Sequence, residues 1–201
     1  MQFCCHFLWD DVYLYKELNP IIMEANTILK AKQSSYQTRL DAFGNLWVQN
    51  TSNSLINVWP KNLNCQLNDY RHQLTAQAFK QALGIERLRK LDSEKEWLTT
   101  NYVLSAGGEI LEIEFTTTAN TSLTIDEIEA LEITLKDNVS FNITWLDTNE
   151  ADFVTMSAGL PYSTVLSTCL GPNVAAGVQL KKISTTVAVK VPPLPDHFNK
   201  H

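Results

Sequence analysis

The chain has 201 residues, 44% hydrophobic and 19% charged, with seven glycines and seven prolines; this excludes a disordered or low-complexity protein and suffices for a core without covalent staples. The net charge of −6 disfavours nucleic acid as a general partner, because phosphate affinity comes from clustered Lys and Arg. No stretch approaches the roughly 18–20 apolar residues of a membrane span.

Cys4, Cys5, Cys65 and Cys169 show no CxxC spacing. They imply no disulfide framework, so the expected setting is reducing: the cytoplasm, or a particle assembled inside the cell. The charge is uneven. Eleven of the 22 acids lie between Glu109 and Asp152, where Lys136 is the one base, and this predicts an acidic face.

In chain order, Phe3–Trp9 is an apolar run without the basic flank or cleavage site of a signal peptide, and it reads as an arm. Leu14, Leu18, Ile21, Ile22, Ala25, Ile28 and Leu29 recur at spacings of three and four, which predicts a helix over 10–33 with Pro20 in a first turn. Strands are expected at 38–49 and 54–59, with turns at 41–45 and 50–53 and with Trp47 and Trp59 facing the core. A helical block follows over 69–99, capped at Asn68 or Asp69 and interrupted or merely loosened at Gly84.

From Asn101 the pattern turns to strands. Residues 102–104 and 109–115 flank Ser105-Ala-Gly-Gly108, a hairpin signal. Thr124 to Glu127 fits a capping box. Ile125, Ile128, Leu131, Leu135, Val139, Ile143 and Leu146 then fit a helix, while Leu131, Ile133 and Leu135 followed by Val139, Phe141, Ile143 and Trp145 fit two strands. The β-branched content of the second half favours a short helix over 125–130 and then a hairpin to 146. Strands at 162–169 and 178–191 complete the reading. The predicted class is α+β, with a helix-containing N-terminal half (1–100) and an antiparallel β-rich, acidic C-terminal half (101–195), sandwich-like or a sheet packed on helices. Residues 196–201 form a tail.

Four constellations bear on chemistry. Residues 74–91 (LTAQAFKQALGIERLRKL) resemble a repressor-type helix-turn-helix, which would make Arg87, Arg89 and Lys90 the DNA contacts. Lys80 and Lys90 depart from that pattern, since each stands where the crossing helices want a small or aliphatic side chain. Glu112 and Glu114 share one strand face about 6.5–7 Å apart, a spacing open to paired-carboxylate chemistry but also expected of a solvated edge. Cys4, Cys5 and His6 with Cys65 or His72 would be soft metal ligands, yet adjacent cysteines in an extended chain point apart. Val191 to Pro195 resembles a polyproline ligand of SH3 domains, with Val189 where its orienting base belongs.

The chain carries no GxSxG, HExxH, P-loop or GxGxxG motif, and the reading calls for no cofactor, metal or catalytic residue. The expectation is a non-enzymatic, protein-interacting subunit of a larger assembly, such as a virion or appendage. Its partners would be other protein subunits, met through Phe3, Phe7 and Trp9 and through Pro192, Pro193 and Pro195. The alternative is a DNA-binding regulator acting through 74–91.

Overall fold

The computed structural model describes residues 26–58, 64–68, 72–146 and 152–171. Its elements run β1 (Ile28–Lys30), β2 (Ser35–Leu40), β3 (Asn45–Asn50), β4 (Cys65–Asn68), α1 (His72–Leu83), α2 (Ile85–Ser93), β5 (Leu98–Ser105), β6 (Ile110–Thr118), α3 (Ile125–Asn138), β7 (Asn142–Trp145), β8 (Phe153–Gly159) and α4 (Tyr162–Leu170). Six strands form one antiparallel sheet in the order β1-β2-β3-β6-β5-β8, while β4 and β7 pair separately.

The expected split into a helical N-terminal half and a β-rich C-terminal half is overturned. Strands and helices interleave, and the central seam joins β3 to β6. The apolar spacing that suggested a helix to residue 33 does not extend to Ile28, which is 70% exposed on the short edge strand β1. Residues 10–25 and 178–191 lie outside the described set. The expected strand at 54–59 is a loop over its described residues.

Period-two alternation builds the sheet. Tyr36, Leu46, Val48, Tyr102, Ile113, Phe115 and Val154 point to one face and are buried. Onto that face pack the helices, with α1 against α3 and α4, and α2 against α4. Leu111 is the extra residue of a β-bulge, because Val103 pairs with Glu112 and Leu104 with Ile110; this is why Leu111 leaves the alternation and stays exposed.

The helical block from His72 breaks at Gly84, whose φ of 78° lies in the left-handed region that glycine enters freely. Leu98, expected in the block, already belongs to β5. The capping box is present, Thr124 accepting from the Glu127 N–H and Glu127 accepting from the Thr124 N–H. The helix it opens runs through to Asn138 instead of stopping at 130. Ile125, Ile128, Leu131 and Leu135 share its buried face, whereas Ile133 is exposed, so the strand-like alternation of Leu131, Ile133 and Leu135 is incidental. Of the hairpin expected there, the strand β7 remains.

The segment 162–169 is helix, not strand. Tyr162, Val165, Leu166 and Cys169 follow the i, i+3, i+4, i+7 spacing and meet the core, and Pro161 presets the entry.

Candidate functional site

One face of the sheet carries the helices; the other carries the polar half of each alternation. Register places Gln37 opposite Gln49, Gln49 opposite Glu114, Glu114 opposite Asn101, and Asn101 opposite Ser157. A row of polar groups, planar in all but Ser157, therefore crosses five strands. Beside it runs a second row, Arg39 to Trp47 to Thr116 to Thr99. Trp47, expected in the core, stands on this outer face because it alternates with the buried Leu46 and Val48.

Between these rows lies a cavity of about 330 Å³ lined by Gln37, Arg39, Trp47, Gln49, Asn57 and Glu114. Its volume falls at the lower end of the roughly 300–1,000 Å³ typical of small-molecule sites. The Arg39 guanidinium lies 4.3 Å from the Trp47 ring centroid and donates to Glu114 Oε2 at 3.1 Å. Asn101 Nδ2 reaches Glu114 Oε1 at 3.4 Å and Thr116 Oγ1 at 3.2 Å, and Ser157 donates to Asn101 Oδ1 at 2.5 Å. The Trp47 indole N–H donates to Asp41 Oδ2 at 3.0 Å, and Asp41 also accepts from the Phe43 and Asn45 N–H groups. These bonds, the indole's first, hold the Asp41 carboxyl well below the usual carboxylate range.

Among the described residues the Gln49 side-chain oxygen is buried without a partner. Gln37 and Asn57 line the same cavity with exposed side chains whose carboxamides are free to meet water. Buried polar atoms are as a rule satisfied, so an orphan acceptor facing a cavity leaves a place for a donor from outside.

The roof is the loop 51–58, fastened by Glu112. This carboxylate accepts the N–H groups of Ser54, Leu55 and Ile56 at 2.6, 2.8 and 2.8 Å, together with the Ser54 hydroxyl at 3.2 Å. Asn53 Nδ2 donates to the Ile113 carbonyl at 2.9 Å, just past the end of β3. Glu112 and Glu114 do share one strand face, but each is committed: one to loop backbone, the other to Arg39 and Asn101.

Burial pushes the Glu114 carboxyl above its ordinary value, and the hydrogen bond and charge of half-exposed Arg39 counter this in part. The folded state thus holds this proton more tightly than the unfolded chain. The resulting stabilisation is complete below the ordinary carboxyl pKa of about 4 and is lost as pH rises through the folded value. Glu114→Gln, which stays neutral, is expected to gain in Tm on the wild type between about pH 4 and pH 7. A gap that moves toward the wild type over that range would contradict the assignment.

The expected acidic face is partly internal. Glu112, Glu114, Glu129 and Glu132 are all buried. Glu129 accepts the N–H groups of Gln33 and Ser34 in the β1–β2 turn. Glu132 accepts from the Tyr36 hydroxyl at 2.6 Å, from Asn50 and from Lys136. The Tyr36 hydroxyl is in turn pushed far above its usual range, by burial first and then by Glu132.

Of the other residues singled out in the sequence, Phe3, Phe7, Trp9, Pro192, Pro193 and Pro195 lie outside the described set, as do Cys4, Cys5 and His6. Among the described residues no group of three His, Cys, Asp or Glu side chains could hold a metal ion. Lys80 and Lys90 are exposed, so neither enters a helix crossing. Arg87 grips Glu127 through Nε at 2.7 Å and Nη2 at 3.1 Å, and also reaches the Ser122 carbonyl. Burial alone would raise the Glu127 carboxyl, but the bonds from Arg87 and the Thr124 N–H outweigh it and hold the group below its ordinary value. Arg89 pairs with Glu86, and Lys90 lies 3.9 Å from Glu94.

A thermal melt separates these arginines. Arg87→Ala is expected to cost about 2 kcal/mol by stranding a half-buried carboxylate and a carbonyl. The exposed Arg89→Ala should stay within about 0.5 kcal/mol. Equal losses would mean that the Arg87 fork carries no more than a surface pair.

A solved structure shares this fold. It is the crystal structure of a DUF5043 family protein from Bacteroides uniformis, which superposes with a TM-score of 0.58 at 15% identity over 70% of this chain and 87% of that one. At that identity the likeness shows the architecture alone. No family model matches the chain, and no curated protein matches it. No helix among the described residues is long and apolar enough to cross a membrane.

Proposed function

We propose that the chain is a non-catalytic recognition protein whose binding site is the cavity on the face of the sheet opposite the described helices. The observation that carries this reading is the buried Gln49 side-chain oxygen, without a partner among the described residues, in a cavity that the exposed Gln37 and Asn57 also line beside a buried carboxylate. The carboxylates nearest the cavity are consumed by structural bonds, which leaves them poor candidates for acid–base work. Thermal-shift measurements against neutral sugars, amino acids, dipeptides and nucleosides provide the test. One class should raise Tm, since a ligand at a hundredfold excess over its Kd adds about 2.7 kcal/mol, and Gln37→Ala/Gln49→Ala should abolish the shift. No response to any class at millimolar concentration would overturn the reading.

A second reading, the protein-assembly subunit expected from the sequence, draws support from the β2–β3 turn. Phe43 stands 89% exposed there, on a turn tied down by Asp41, and rigid exposed aromatics are typical interface anchors. Light scattering at high concentration tests it: a concentration-dependent oligomer lost in Phe43→Ser supports it, and a monomer peak in both proteins removes it. Duplex binding through 74–91 has less behind it, because Arg87 is already spent inside the fold.

A further inference from the structure

We propose that the ligand of this cavity is an uncharged saccharide of more than one sugar unit, lying across the strands along the polar row; this rests on the cavity being the recognition site. Charge gives the first reason. Arg39 and Glu114, the two ionised groups of the lining, are bonded to each other, so a net charge on the ligand would meet no free countercharge in a site that is partly desolvated.

Hydrogen-bonding pattern gives the second. Each carboxamide offers two donors and an acceptor on one planar end. Gln37, Gln49 and Asn57 therefore ask for groups that donate and accept at adjacent atoms, as neighbouring hydroxyls do. The guanidinium of Arg39, laid against the Trp47 ring, continues this floor with a flat surface rimmed by donors.

Position in the sheet gives the third. The cavity sits over β2, β3 and β6; at Gln37, Gln49 and Glu114 these strands are paired on both sides, although the three-residue β1 does not reach Arg39. A peptide that binds a sheet does so by adding a strand at an edge, and over Gln49 and Glu114, at the middle of the polar row, it would find no ladder to join. The row continues past the cavity to Asn101 and Ser157, a reach of about 19 Å at strand spacing. This favours a ligand longer than one ring.

The test is isothermal titration of the full chain with glucose, maltose, cellobiose, lactose and the matching trisaccharides, beside galacturonic acid and a neutral dipeptide. At least one neutral disaccharide should bind more tightly than its monosaccharide, with little change between about 50 and 500 mM salt. Gln37→Ala and Gln49→Ala, each with an unchanged circular dichroism spectrum, should weaken it about three- to tenfold, the worth of one neutral hydrogen bond. Binding confined to the acidic sugar or the dipeptide overturns the saccharide assignment and leaves the cavity as a site. Binding of none of these sugars, while the thermal-shift panel reports another class, does the same. Silence in both experiments overturns both.

Discussion

Gly108→Ala is expected to be among the most damaging single substitutions in the chain, costing about 4 kcal/mol or preventing folding outright. Two independent facts converge on this position. Its φ of 88° lies where L side chains rarely go, and a Cβ built there would sit 1.7 Å from the Phe141 carbonyl oxygen. That oxygen is backbone, so no rotamer change can relieve the clash. The contact is also productive, because the Phe141 N–H donates to the Gly108 carbonyl at 2.8 Å. Gly108 thus sets where the chain leaving α3 crosses the end of the β5–β6 hairpin before entering β7. Neighbouring Gly107 meets nothing closer than the Ser105 hydroxyl at 3.7 Å, and Gly107→Ala should shift Tm by only a few degrees. Equal effects from the two substitutions, measured by thermal denaturation, would refute the crossing argument.

Glu112→Ala is expected to cost about 3 kcal/mol and to open the roof of the cavity. The carboxylate is buried and serves three consecutive backbone N–H groups. Its removal strands donors that no other group described here serves, at about 1–3 kcal/mol for each one that stays buried. Because the loop carries Asn57 into the cavity, ligand affinity should fall together with stability. Glu112→Gln keeps one or two of the bonds and should fall between the two proteins on both measures. Hydrogen exchange gives an independent check: the amides of Ser54, Leu55 and Ile56 should be protected in the wild type although they belong to no strand, and should exchange freely in the alanine variant. Fast exchange in the wild type would show that Glu112 does not fasten the loop.

Features encoded by a few adjacent residues were readable in the sequence. Thr124 and Glu127 announced the start of α3, Gly107-Gly108 the β5–β6 turn, and Asp41 to Asn45 the β2–β3 connection. What failed were choices between two periods on short apolar runs. Leu131, Ile133 and Leu135 alternate like a strand, but burial follows Ile128, Leu131 and Leu135. In α4 the helical spacing of Tyr162, Val165, Leu166 and Cys169 is present in the sequence, although the segment reads as a strand there.

The site was less legible for a different reason. Its six lining residues come from β2, β3, β6 and a loop, and only register brings Gln37, Gln49 and Glu114 into one row. A local signal did exist: the polar positions of 37–39, 45–49 and 112–116 repeat every second residue. Assigning Trp47 to the core placed that whole face on the wrong side, since one residue fixes the parity of its strand. The fastening of a loop by Glu112 has no local signature, and neither does the burial of Glu129 at the β1–β2 turn or of Glu132 against Tyr36 and Asn50.

The seam between β3 and β6 bears on how the chain is made. Gln49 finds its partner at Glu114, so a ribosome-bound chain exposes the open flank of β3 until both α1 and α2 have been synthesised and the β5–β6 hairpin has emerged. Throughout that interval an unpaired strand bearing Leu46, Trp47 and Val48 is available to any other nascent chain. Low yield and inclusion-body formation are therefore the outcomes to expect from a truncation near residue 100, and in the full chain slower translation beyond that point should raise the same risk.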